Sequence, residues 1–342
     1  MITNPTPQRK LRGHLPQRLT QRAAATGEHY ARLAARLTPR DRWLARILHE
    51  HRVLTTHQIQ QLAFPSPRAA NHRLRQLYLW RILDRFQPYI TSGTLPMHYI
   101  LDTAGATTLA HEDGLKPETI GYRHATAIGI ASSLRLAHTV GVNGFFTALT
   151  AHARRPGPGE LTAWWSEARC AQHFGDIVRP DAYGRWRENE REIEFFLEYD
   201  FGTETLTRLA NKLTGYARLA ATTAICTPVL FHFPTPRREA AARRTLAEAA
   251  AQLVHPPLVP IATTAVPQPG TAETSPAAAR WLLVPETAHP RRQRLIDLAD
   301  FWPTTMLAPQ PAAPTTPSPA PPATGLAPPR PMPPPDVPGG GP

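Results

Sequence analysis

The sequence predicts an α+β protein with two folded regions and a proline-rich tail, on three observations. Residues 38 to about 103 carry three helical patterns followed by two short strands. From about residue 161 onward, apolar strands alternate with helices. From residue 303 to 342 proline is so dense, as in "PSPAPPATGLAPPRPMPPPDVPGGGP", that no core can form, and a polyproline-like disordered extension is expected. A chain of 342 residues is long enough for two domains.

Composition narrows the partners. Lysine and arginine together number 38 against 26 aspartates and glutamates, a net charge of +12. The positive charge is nearly all arginine, with lysine only at Lys10, Lys116 and Lys212. Such a balance favours a polyanion, either nucleic acid or an anionic membrane surface. The longest apolar run, "ATAIGIASSLRLAHTVGVNGFFTAL", is interrupted by Arg135 and His138, so no membrane span is expected. The N-terminus "MITNPTPQRK" lacks the apolar core of a signal peptide. Cys170 and Cys226 are isolated and form neither a disulfide framework nor a zinc pattern, which fits a reducing cytoplasm. Nucleic acid is the expected partner, and the region that follows narrows it to double-stranded DNA.

Residues 1–37 form a basic arm, with Arg9, Lys10, Arg12, Arg18, Arg22, Arg32 and Arg36 against Glu28. Two readings stand: a solvated, partly disordered leader, or an arm that binds phosphates. In the following region, 38–112, Thr38 caps a helix opened by Pro39 and favoured by Asp41, with Trp43, Leu44, Ile47 and Leu48 as its buried stripe. A second helix follows "LTTH" and stops at "FPSP"; Ile59, Leu62 and Ala63 point inward. The third, "RAANHRLRQLYL", buries Ala70, Leu74 and Leu77 and presents Arg68, His72 and Arg75 outward, with Asn71 and Arg73 on its flanks. "ILDRF" and "HYILD" make a hairpin around "TSGTLP". Three helices and a hairpin in that order form a winged helix-turn-helix, whose third helix commonly enters the DNA major groove. Arg68, Asn71, His72, Arg73 and Arg75 are therefore the candidate DNA contacts.

Residues 123–302 open with a long helical stretch and continue as strands "LTAWWSE", "RPDAYGRWRE" and "EIEFFLEYD". A helix from about Glu204 to Leu219, the strand "PVLFHF", a helix from about Pro236 to Leu253 and the strand "LVPIAT" complete a mixed sheet flanked by helices. Along the third strand, Phe195, Leu197, Tyr199 and Phe201 share one face, while Glu194, Phe196, Glu198 and Asp200 share the other. Asp181 lies on the neighbouring strand. Carboxylates converging on one face need a cation or protons, and magnesium or manganese held by oxygen ligands is the usual answer. Lys212, on the helix just after them, stands out in a chain that otherwise relies on arginine.

Pro180-Asp181, Glu198-Tyr199-Asp200, Lys212 and Tyr216 resemble the PD-(D/E)xK nuclease-like pattern of an Asp, then Asp or Glu, a spacer and Lys. Over about residues 38 to 260, the order of a winged helix before "WWSE", "RPDA" and "FFLEYDFGTETLTRLANKLTGY" resembles the replication-relaxation family of actinobacterial and firmicute mobile elements. That resemblance implies Asp181 and Glu198 as metal ligands, and a catalytic group of Asp181, Glu198, Asp200 and Lys212. Asp200 occupies the position where such nucleases carry lysine, so Lys212 would act from the helix or the domain would be catalytically dead. The resulting expectation is a cytoplasmic DNA-binding accessory or regulatory protein of plasmid or mobile-element replication or transfer. Its alternatives are a metal-dependent DNA endonuclease or nicking enzyme, and a DNA-bound scaffold recruiting a protein partner through the proline-rich tail.

Overall fold

Short polar side chains fix where the helices of the N-terminal half begin. Thr26 caps α1 (Gly27–Arg36), Thr38 caps α2 (Pro39–His51), Thr55 caps α3 (Thr56–Ala63) and Ser66 caps α4 (Pro67–Leu79), each accepting a backbone N–H of the first turn. At α2 the cap is reciprocal: the Thr38 backbone N–H donates to Asp41 Oδ2 at 2.7 Å. Pro39 and Pro67 sit in the first turns, where a missing N–H costs nothing.

The computed structural model describes residues 6–15, 20–24, 26–255, 259–267, 270–271, 273–285, 291–302 and 326–335. These form two compact units, one of residues 6–143 with 326–335 and one of residues 144–302. Both are mixed α and β, each with its own sheet.

In the N-terminal unit, β1 (Leu54–Thr55), β2 (Leu83–Phe86) and β3 (His98–Leu101) pair antiparallel in the order β1-β3-β2. β1 was not foreseen; it is two residues long and too short to show an alternation. Leu44, Ile47, Leu48, Ile59, Leu62, Leu74, Leu77 and Ile100 are fully buried and form the stripes read from the sequence. Helix α5 (Thr103–Glu112) follows the hairpin, and α6 (His124–Ile128) leads towards α7 (Leu136–Ala153).

The division between the units falls inside α7, between Asn143 and Gly144. It lies beyond the 112–123 stretch where the sequence reading ended its first domain. Packing explains this: Ile130, Ala131 and Leu136 share a cluster with Val53, Phe86 and Ile100. Asn143 Nδ2 also donates to the carbonyls of His51 and Val53. After Gly144, Phe145 and Phe146 pack instead against Phe195.

The basic arm is partly built into the fold. Arg12 and Leu15 donate their backbone N–H groups to Tyr89 and Gln87, and Tyr89 returns one to Gly13. Arg22 pairs with Asp84 and with fully buried Asp102, donates to the carbonyls of Tyr78 and Leu83, and stacks on the Tyr78 ring. It is a strut within the fold, whereas the sequence suggested either a leader residue or a phosphate contact. Arg32 pairs with Glu28, and Arg36 lies over Trp80. Arg18 and residues 1–5 lie outside the described residues, as do 303–325 and 336–342 of the tail. Residues 326–335 carry no regular secondary structure and hydrogen-bond to α2 and to Asp113, just beyond α5.

The C-terminal unit is a six-stranded sheet in chain order: β4 (Gly159–Ser166), β5 (Ala182–Glu188), β6 (Arg191–Tyr199), β7 (Val229–Phe233), β8 (Ile261–Ala265) and β9 (Leu282–Val284). β4, β5 and β6 are antiparallel, β6, β7 and β8 parallel, and β9 antiparallel again. Each parallel step needs a crossover, supplied by α9 (Leu206–Thr223) and α10 (Pro236–Ala251). Both helices and α8 (Glu167–Phe174) cover one face, where Phe196, Leu209, Leu213, Val229, Phe231 and Leu246 share a core. The opposite face carries Phe195, Trp164, Trp281 and, from α7, Phe145 and Phe146. Gly184 stands opposite Phe195; a Cβ there would lie 2.5 Å from that ring and 2.6 Å from Phe146, so only glycine admits both rings. Among the described residues no helix is long and apolar enough to cross a membrane.

The Arg22 strut is directly testable. Arg22→Ala leaves buried Asp102 without its closest cation, and should cost about 3 kcal/mol in urea unfolding of the N-terminal unit, the scale for breaking one side of a buried pair. An unchanged midpoint would show that Arg22 is a surface charge.

Candidate functional site

Two side-chain groups carry the chemistry that the sequence singled out, one in each unit. The first is on α4. Positions 68, 71, 72 and 75 recur at three- and four-residue spacing and so form one stripe of the helix. Arg68, Asn71, His72 and Arg75 are all exposed. None of the four makes a side-chain hydrogen bond or ion pair among the described residues. Arg73, grouped with them in the sequence reading, is placed differently. Its guanidinium grips Asp41, the fully buried acid of the α2 cap, with Nε at 2.9 Å, and also bonds Gln76 and the Arg36 carbonyl. It lies over Trp80 as well. A cation spent on a buried carboxylate orients α4 against α2 and is not presented to a ligand.

The second group is under α9. Ala182 pairs with Leu197 in the antiparallel register, so Asp181 and Glu198 face each other across β5 and β6 on one side of the sheet. Asp181 Oδ2 accepts the Tyr199 backbone N–H at 2.8 Å, which locks the mouth of that strand pair. Glu198 is 0 % exposed, seated in the apolar face that α9 covers. Its two oxygens have separate donors: Lys212 Nζ at 2.6 Å from Oε2, and the Tyr216 hydroxyl on Oε1. Lys212 and Tyr216 are four residues apart and so share a face of α9. Lys212 also approaches Glu204 at 3.9 Å.

The structure thus brings Asp181, Glu198 and Lys212 together, and does not bring in Asp200. Asp200 is buried at the end of β6, where Arg238 of α10 grips it with Nε and Nη2 and Gly202 donates its N–H at 2.9 Å. Arg238 also bonds the Glu204 carbonyl, so it ties α10 to the β6–α9 loop. Tyr216 and Arg238 were not among the site residues expected from sequence. The Lys212–Tyr216 spacing was visible; the arginine that would claim Asp200 was not, because it lies 38 positions away on another helix.

Charge follows from this packing. Burial, and next the Asp181 carboxylate, push the Glu198 carboxyl up to about 7, against the pull of Lys212 and Tyr216. Burial works against the Lys212 charge, but the carboxylates of Glu198 and Asp181 outweigh it and raise the ammonium's pKa. Tyr216 is raised far above a normal phenol by burial and by Glu198. We take Lys212 as charged throughout and Glu198 as the group that titrates near neutrality.

Donors within the protein compete with a divalent cation for these carboxylates. Magnesium needs carboxylate oxygens with lone pairs directed at it. Both Glu198 oxygens already accept from Lys212 and Tyr216, and Asp181 Oδ2 accepts from the backbone. The positive charge the carboxylates require is supplied by the Lys212 ammonium. Among the described residues, the acidic group with ligand geometry is instead Asp84, Asp102 and His124 in the other unit, and the Arg22 guanidinium pairs with both of its aspartates.

The family described as replication-relaxation matches residues 46–235, more than half of the chain. The matched span begins within α2 and runs past β7, so it includes the α4 stripe and the whole Glu198 cluster. No curated protein and no solved structure matches.

With its carboxyl raised from 4.5 to about 7, folded Glu198 holds a proton that the unfolded chain releases. Its contribution to stability therefore falls as pH rises through that window. Glu198→Gln removes the titration. The melting temperature of the variant, relative to wild type, should rise by at least about 3 °C between pH 5 and pH 7.5. A difference that stays constant with pH would mean that Lys212 and Tyr216 keep Glu198 ionised throughout.

Proposed function

Because the chain belongs to the replication-relaxation family, we propose that it is a DNA-binding accessory or regulatory protein in the replication or transfer of a mobile element or plasmid. The observation that carries this reading is the α4 stripe of Arg68, Asn71, His72 and Arg75, exposed together and without a side-chain hydrogen bond or ion pair among the described residues. The order α2, β1, α3, α4, β2, β3 supports reading this region as a winged helix-turn-helix, a module whose third helix reads the major groove. Arginine can pair with guanine and asparagine with adenine there, while the net charge of +12 supplies phosphate attraction. Arg73, held by Asp41, serves as a positioning residue that sets the angle of the stripe.

The mixed sheet and acidic strand ends of the C-terminal unit support reading it as a relative of the PD-(D/E)xK nucleases. Its central carboxylate is neutralised from within by Lys212, and this supports a role in holding DNA or a partner without cutting. The protein would then act in the cytoplasm.

Binding of a labelled duplex, followed by anisotropy, should weaken about tenfold in Arg75→Ala, the scale of one lost base or phosphate contact. The slope of log affinity against log salt should fall by about one if the contact is to phosphate. Arg238→Ala, which releases Asp200, should leave affinity unchanged while lowering the stability of the C-terminal unit. Equal losses in both variants would replace the stripe with diffuse polyanion binding.

Supercoiled plasmid incubated with the protein and magnesium or manganese should remain supercoiled. Nicking that disappears in Asp181→Ala would overturn the non-cutting reading in favour of a metal-dependent endonuclease.

A further inference from the structure

Residues 326–335, Leu-Ala-Pro-Pro-Arg-Pro-Met-Pro-Pro-Pro, lie along the N-terminal unit in a repeating way. Trp43 Nε1 donates to the Arg330 carbonyl at 2.7 Å, and Arg46 Nη1 reaches the Ala327 carbonyl at 3.5 Å. The Ala327 N–H donates to Asp113 Oδ2 at 2.8 Å. Arg46 itself is clamped to Asp113, with Nη2 at 2.6 Å from Oδ1, so acceptor and donor for the incoming backbone are held as one unit. Leu326, Pro329 and the run Pro331–Pro334 are partly buried, while Ala327, Pro328, Arg330 and Pro335 are exposed.

The two carbonyls that are contacted, Ala327 and Arg330, are three residues apart. A polyproline II helix has three residues per turn, so carbonyls at positions 327 and 330 leave the same edge, and side chains at 326, 329 and 332 share another. On α2, Trp43 and Arg46 are three apart and share a face of the helix. An indole N–H and a guanidinium on successive turns therefore read two carbonyls one turn apart. What is recognised is extended backbone, with apolar side chains filling in between. Proline suits such a surface: its φ is already fixed, so little conformational freedom is lost, and it brings no N–H needing a partner.

We propose that the surface formed by Trp43, Arg46 and Asp113 is a recognition site for polyproline II ligands, kept filled by the chain's own residues 326–335. A partner carrying a proline-rich segment would enter by displacing that tail. The sequence suggested a tail that recruits a separate protein partner; here a surface for it lies on the same chain. A segment of the same chain competes at an effective concentration on the order of 1 mM. Three polar contacts, all to backbone, match an occupant held at that level and open to exchange. None of the groove residues belongs to the α4 stripe, so this site stands independently of DNA binding.

The test uses the full-length protein labelled with 5-fluorotryptophan, whose seven tryptophans give separate fluorine signals. The Trp43 signal is assigned by its loss in Trp43→Phe, which keeps an aromatic ring but removes the N–H. The combined tail variant Pro328→Gly, Pro329→Gly and Pro331→Gly changes no residue of the unit's core, and it should move the Trp43 signal. Adding a synthetic peptide of residues 326–335 to that variant should return the signal to its wild-type position, half-way well below about 1 mM peptide, because a tail at that effective concentration keeps the site filled only if its intrinsic Kd is lower. Arg46→Met in the same tail variant should raise the peptide concentration required at least fivefold. A Trp43 signal indifferent to the tail substitutions would overturn the proposal. So would a signal that moves on substitution but does not return with several millimolar peptide, since the contact would then be a fixed part of the fold.

Discussion

A carboxyl group with no exposure, placed on the apolar side of a sheet, is the constraint around which the C-terminal unit is arranged. Burying Glu198 among Phe196, Leu213 and Phe231 is unfavourable by several kcal/mol unless its oxygens are satisfied. Satisfaction comes from a single helix. Lys212 and Tyr216 reach it only if α9 lies at one height along β6, so the pair fixes the helix as firmly as the leucines beside it do. Asp181 secures the strand end from the other side by accepting the Tyr199 N–H. At the end of the same strand, Arg238 performs the equivalent service for Asp200 and draws α10 to the same corner. Two buried acids, each with its own dedicated cation, thus set the positions of both crossover helices.

The N-terminal unit uses the same device with different residues. Asp41 is simultaneously the acid of a helix cap and the anchor for Arg73, so the start of α2 and the tilt of α4 are one interaction. Asp102 caps α5 and receives Arg22. In a chain with so much arginine, buried acids select which arginines are structural. Those that pair with no acid among the described residues, such as Arg68 and Arg75, are the ones presented to an external anion.

That selection explains what could be read from sequence. Caps, stripes and strand alternation are local, and Thr38, Ser66 and the "EIEFFLEYD" strand announced themselves through neighbours one to four positions away. The mixed sheet followed from the same local signals. The Asp181–Glu198–Lys212 grouping was legible because two adjacent strands and the next helix are consecutive in the chain. The fates of Arg22, Arg73 and Asp200 were not. Their partners lie 62 and 80 positions away for Arg22, 32 for Arg73 and 38 for Asp200, and nothing local distinguishes a cation bound for a buried acid from one bound for solvent. The tail misled for a related reason. Its composition argued against a core of its own, which holds, but says nothing about a surface elsewhere on the chain to which it is complementary.

The Trp43–Arg330 hydrogen bond joins residues 287 positions apart. At translation rates of roughly 5–20 residues per second, the indole of Trp43 leaves the ribosome tens of seconds before the carbonyl that will cover it. The N-terminal unit folds in the interval, since its other elements are complete by Asn143. For that period every nascent copy presents an open polyproline surface, at a time when no tethered competitor exists. The newborn chain is therefore a better receptor than the finished one, and polysomes are where a proline-rich partner would find it most accessible.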